Sequence, residues 1–174
     1  MIGKGAKMKS FYRSLFRGMF LALLILGVLM TMPPVRAQEK PDLDEVPKRV
    51  MESLKSKFPK ALIHKWSKEK EGDIIVYDFE FKQEGRKFEA DIKEDGTIHN
   101  WEKEIKQRDL PKAVKMAVKK NYARSTLKEI MEITAVKDGM DALEGYEIVL
   151  KTKDKKEIEV MIAPDGKILE ESVE

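Results

Sequence analysis

The chain has no cysteine in 174 residues, only two histidines and only two tryptophans. Without thiols there is no disulfide, no thiolate zinc site and no cysteine nucleophile, so stability has to come from a packed core. The histidines, His64 and His99, have no second imidazole at ligand spacing, whereas a metal site needs three or four converging ligands. Ser53, Ser56, Ser67, Ser125 and Ser172 all lie outside any Gly-x-Ser-x-Gly elbow. The carboxylate pairs Asp78/Glu80 and Glu89/Asp91 alternate with apolar residues, which reads as a solvated strand face rather than acid–base machinery. Asp95-Gly96 and Asp165-Gly166 lack the further oxygen ligands of a calcium loop and read as turns. The expectation is therefore a non-enzyme, with no catalytic residue, metal or cofactor.

A long hydrophobic run is missing too. The longest apolar stretch, Met19 to Met32, has 14 residues, against about 20 for a spanning helix. Lys4, Lys7, Lys9, Arg13 and Arg17 precede it, and Pro33-Pro34 and Val35-Arg36-Ala37 follow it. Residues 1–37 read as a secretory signal peptide, with Gln38 as the first mature residue; the competing reading is an anchor retained at the N-terminus. The basic balance of the whole chain belongs to this leader. It holds six of the 34 basic side chains and none of the 31 acidic ones, leaving 28 against 31, or −3, for residues 38–174. Nothing remains to indicate nucleic acid. No membrane partner is expected after cleavage, and the expected location is periplasmic or secreted.

The remainder is written twice. Val46-Pro47-Lys48 returns as Leu110-Pro111-Lys112, 64 residues later, and Asp95-Gly96-Thr97-Ile98 returns as Asp165-Gly166-Lys167-Ile168, 70 residues later. The second copy is longer by about six residues, which the sequence places in loops, and such a repeat governs the whole fold. Val46, Val50, Met51, Leu54 and Phe58 recur at helical spacing, as do Leu110, Val114, Val118 and Tyr122. Ile75, Tyr77, Phe79 and Phe81 alternate with polar residues as a strand does, and Tyr146, Ile148 and Leu150 match them. Phe88, Ala90 and Ile92 correspond to Ile158, Val160 and Ile162, and Ile98 to Ile168. First strands are expected over 61–69 and 127–136, with 137–145 as the longer loop of the second copy. The predicted fold is α+β: two tandem modules, 38–106 and 107–174, each a helix packed on a four-stranded antiparallel sheet.

Leu110-Pro111-Lys112-Ala113-Val114, Gly145 to Leu150 and Glu159 to Leu169 resemble a PepSY-type domain: a proline-started helix, a Tyr-Glu-hydrophobic strand and a penultimate strand ending in an acidic-Gly turn. An exported chain with two such modules is similar to the PepSY-like β-lactamase-inhibitor family, and the resemblance covers nearly all of residues 46–174. It implies a secreted or periplasmic protein that binds other proteins, with inhibition of peptidases or β-lactamases for some members. It brings no catalytic residues. Ala163 departs from the acidic residue often found before the turn.

Trp101, placed outward by parity with His99, Trp66, Val149 and Met161 are the candidate partner-binding residues, since Trp and apolar groups gathered on a sheet face mark contact surfaces. The bland alternative is that they pack the modules together. The functional expectation is a protein-binding module, and an inhibitor of a peptidase or β-lactamase-type hydrolase within that class. The other reading is a cell-envelope accessory or small-ligand-binding protein.

Overall fold

A computed structural model describes residues 41–173. The expected signal peptide, 1–37, lies outside the described residues. The elements in chain order are α1 (Lys48–Lys57), β1 (Leu62–Glu71), β2 (Ile74–Gln83), β3 (Arg86–Lys93), β4 (Ile98–Glu104), a 3₁₀ turn (Gln107–Asp109), α2 (Lys112–Asn121), β5 (Thr126–Lys137), β6 (Met140–Lys151), β7 (Glu157–Ile162) and β8 (Ile168–Val173).

Pro47 and Pro111 each immediately precede a helix, where the missing N–H costs nothing and the fixed φ favours entry. Both helices close alike: the Phe58 N–H donates to the Leu54 carbonyl and the Tyr122 N–H to that of Val118, each at 2.8 Å. Lysines in the last turns complement the carbonyl end of the helix dipole.

The strands do not form two sheets. They form one eight-stranded antiparallel meander in the order β1 to β8. β4 pairs with β5, from Asn100 opposite Ala135 to Glu104 opposite Met131, so the predicted α+β pair of separate four-stranded modules is overturned. The physical reason is the cost of bare edges: two separate sheets would leave two rows of unpaired N–H and C=O groups where β4 and β5 now satisfy one another. The Ile105 N–H continues the seam by donating to the Ile130 carbonyl at 3.0 Å, and Lys103 pairs across it with Glu132 at 2.8 Å. The expected boundary at 106/107 falls just before the 3₁₀ turn.

The two helices lie on the same face of this sheet. Val50, Leu54 and Phe58 of α1 pack with Tyr77, Phe79, Phe81, Phe88, Ala90 and Ile92. Leu110 and Val114 pack with Ile130, Tyr146, Ile148, Leu150, Val160 and Ile162. Trp101, against the first cluster, sits opposite Thr134, and Thr134 shares strand parity with Ile130 of the second. Aromatic rings fill the first cluster: Phe58 lies 4.9 Å from Phe81 and 5.7 Å from Phe88, between centroids. Each buried phenylalanine is worth about 1.5–3 kcal/mol in transfer terms.

Gly96 and Gly166 join each helix to its last hairpin. Their φ values are +87° and +88°, and a Cβ would fall 3.1 Å from the Arg49 carbonyl oxygen and 2.8 Å from that of Ala113. Only glycine provides both the left-handed turn and the clearance. The extra length of the second copy is not the predicted 137–145 loop. Residues from Met140 onward are strand, β5 and β6 run to 12 residues each, and a two-residue turn at Asp138-Gly139 joins them.

Candidate partner-binding face

With both helices on one side, no described helix or strand covers the other side of the sheet. Register assigns to it Asp78 and Glu80 of β2, Lys87, Glu89 and Asp91 of β3, Asn100 and Glu102 of β4, Glu129, Met131, Ile133 and Ala135 of β5, Glu147 and Val149 of β6, and Glu159 and Met161 of β7. It has a charged part on β2 to β4 and an apolar strip on β5 to β7.

The four sequence candidates do not share this surface. Val149 lies on it between Glu129 and Glu159, and Met161 lies on it too, between Glu147 and Glu170. Trp66 and Trp101 are on the helix side. Trp66 is opposite Phe79, stacks on Tyr77 with centroids 6.2 Å apart, and donates its indole N–H to the Asp42 carbonyl at 2.6 Å. Trp101 presents Phe58 with an edge contact at 5.9 Å, beneath Lys57 Nζ at 5.5 Å from its ring. The outward placement of Trp101 fails because of a bulge. The register passes from Asp91 opposite Asn100 to Ile92 opposite Ile98, which leaves His99 as an extra residue and inverts the parity on which that placement rested.

Met131, Ile133 and Ala135 complete the strip and were not singled out from sequence. All three are buried. The signal was weak: Ile130 and Val136 on one parity and Met131, Ile133 and Ala135 on the other make β5 apolar on both, so the pattern singles out neither face. Gly145, opposite Ile133, keeps β6 close to β7, since a Cβ there would lie 2.8 Å from the Ile162 carbonyl oxygen.

The charged part differs from the solvated face expected of it. Glu89, Asp91, Glu102 and Glu147 are buried, and none is without a partner. Lys87 Nζ lies 3.1 Å from Glu89 and 2.7 Å from Glu129, spanning β4 to tie β3 to β5. Paired and hydrogen-bonded charge is the form in which buried carboxylates persist.

On the helix side, Lys57 of α1 reaches Asp141 of β6 at 2.8 Å. The hydrogen bond from Lys57 holds the Asp141 carboxyl below its usual range. Burial, followed by the charge of Glu132, pushes the Tyr146 phenol up. Among the described residues no three His, Asp or Glu side chains are placed to hold a metal, and no helix is long and apolar enough to cross a membrane.

No protein-family model and no curated protein sequence matches the chain. Solved structures do. A BLIP-like protein from Bacteroides fragilis is 18% identical with a TM-score of 0.52, over 73% of this chain and 85% of that one. A DUF2874 family protein from Bacteroides uniformis is 14% identical with a TM-score of 0.57, over 73% and 88%. A protein proposed to be periplasmic, from Bacteroides eggerthii, is 14% identical with a TM-score of 0.58, over 74% and 88%. At these identities the likeness is one of fold, and the PepSY resemblance rests on its sequence motifs alone.

Proposed function

We propose that this chain is an exported, non-enzymatic module that binds another protein through the helix-free face of its sheet. The observation that carries this reading is the partly exposed pair Val149 and Met161, seated beside the buried Met131, Ile133 and Ala135 on a face that no described helix covers and flanked by carboxylates. An apolar centre with a charged border is the composition of a protein-binding surface. The opposite face supports the same reading, because the interior between helix and sheet is filled by aromatic and aliphatic side chains. A small-ligand carrier would need room there.

The target class follows by analogy. The BLIP-like neighbour favours a hydrolase of the β-lactamase type, and the PepSY-like sequence motifs add a peptidase as the other target, in either case blocked sterically by the sheet. The Bacteroides eggerthii neighbour and the leader favour the periplasm. The test is capture of protein from a native envelope fraction by the wild-type chain and by a Val149→Lys/Met161→Lys double variant. The reading requires the captured species to be lost from the variant; equal capture by both would refute it.

A further inference from the structure

The outward stripe of α2 consists of Lys112, Lys115, Met116, Lys119 and Lys120, spaced i, i+3, i+4, i+7 and i+8, and every one is exposed. Lys106, Arg108 and Arg124 flank it, so the window 106–124 holds seven basic side chains against one acidic residue, Asp109. Met116, at the centre, is 61% exposed.

The duplication provides the control. The equivalent window in the first copy, 42–60, holds five basic and four acidic side chains, and the stripe itself reads Lys48, Met51, Glu52, Lys55 and Ser56. There Lys48 lies 3.6 Å from Glu52 as an i,i+4 pair. Both helices meet the same sheet and cover equivalent cores, so a soluble outer surface is satisfied by the mixed charge of α1. α2 instead stacks like charges at Lys112/Lys115 and Lys115/Lys119, an arrangement that weakens a helix. Lys115 Nζ bonds the Arg108 carbonyl at 2.7 Å, which fixes one cation in the stripe without neutralising it. Packing does not require this charge, and a partner would.

We infer that the outer face of α2 docks on an anionic phospholipid bilayer. Four to eight Lys or Arg on one helix face are the electrostatic footprint for such a surface. Lysine is a point charge suited to many headgroups rather than to one fixed carboxylate geometry. Met116 places a flexible apolar side chain where the headgroup region begins. The contact is peripheral, because the apolar side of α2 is occupied by its own core, and it departs from the expectation of no membrane partner. It does not depend on the proposed protein-binding role. It would leave the helix-free face of the sheet turned away from the lipid.

The test is flotation of the full chain with phosphatidylglycerol/phosphatidylcholine vesicles and with phosphatidylcholine alone. The leader is common to every variant, so differences between variants read α2. The part of the binding that the α2 substitutions remove should need the anionic lipid and fall as salt rises. Lys115→Gln, Lys119→Gln and Lys120→Gln should each lower the partition coefficient roughly fivefold, and Met116→Ser should lower it less. The matched changes in α1, Lys48→Gln and Lys55→Gln, should leave it nearly unchanged. Far-UV circular dichroism melts confirm that the exposed substitutions leave the fold intact. An equal loss on neutral vesicles when α2 is changed, equal loss from the α1 variants, or no loss from the α2 variants would each overturn the inference. So would stripping by inorganic phosphate beyond that by chloride of equal ionic strength, or binding to polyglutamate but not to vesicles.

Discussion

The Tyr122 hydroxyl donates a hydrogen bond to Oε2 of Glu171 at the position where the first repeat sets Phe58 against Trp101. The substitution follows the sheet. Trp101 is on β4, flanked by β5 and lying under Lys57, whereas Glu171 is on β8, the last strand. Burial, and then the bond to Glu171, push the Tyr122 phenol up from its ordinary value of 10.0. A raised acid favours the fold below its ordinary value and loses that contribution as pH climbs toward the folded one. Tyr122→Phe should cost about 1 kcal/mol near neutral pH, read as a lower urea midpoint. Glu171→Gln should move the tyrosinate absorbance transition back toward its ordinary pH.

The Lys57–Asp141 pair links α1 to the long β5–β6 hairpin. Asp141 is depressed in the fold, so its contribution is present above its ordinary 3.8 and fades as pH falls through the lower folded value. The pair is partly exposed, which limits it to about 0.5 kcal/mol. Asp141→Asn should therefore lower stability at pH 7, and the deficit should shrink at pH 2. A variant equally destabilised at both values would show that the loss is one of packing rather than charge.

Gly166→Ala should be the most costly glycine substitution in the second repeat. It combines a φ of +88° with a Cβ position 2.8 Å from the Ala113 carbonyl, and backbone cannot yield as a side-chain tip can. A loss of about 2–3 kcal/mol is expected. Gly139→Ala has a similar φ but nothing within 4 Å, so it should cost about 1 kcal/mol. Chemical denaturation of both variants provides the comparison.

Continuity through β4 and β5 predicts cooperative unfolding. Both tryptophans report the first repeat, while far-UV circular dichroism reports the whole sheet. Phe58→Ala should cost about 3–5 kcal/mol and shift both signals together, as a two-state transition requires. A tryptophan transition that moves while the dichroism transition splits would mean that the β4–β5 seam does not couple the repeats.

The local patterns were readable from sequence because each depends on residues close together. The 3–4 spacing of Val50, Leu54 and Phe58 marks α1, the alternation of Tyr77, Phe79 and Phe81 marks β2, and Asp95-Gly96 and Asp165-Gly166 mark turns. The union of the two sheets was not readable, since pairing of Lys103 with Glu132 is a choice between edges and leaves no period in either strand. Nor was the face of Trp101, because one extra residue at His99 inverts every later side chain in β4. Of the candidate face, Val149 and Met161 were legible as apolar residues among charges. Met131, Ile133 and Ala135 were hidden in a strand that is apolar on both sides.

The central claim concerns which side of the sheet meets another protein, and one capture experiment addresses it directly. Wild-type chain, Val149→Lys/Met161→Lys on the helix-free face, and Lys119→Gln/Lys120→Gln on α2 are immobilised in parallel and exposed to the same detergent-cleared envelope extract. The account predicts a discrete protein retained by the wild type and by the α2 variant and absent from the sheet-face variant, with all three chains folded by circular dichroism. Retention of the same protein by the sheet-face variant, undiminished, would contradict it.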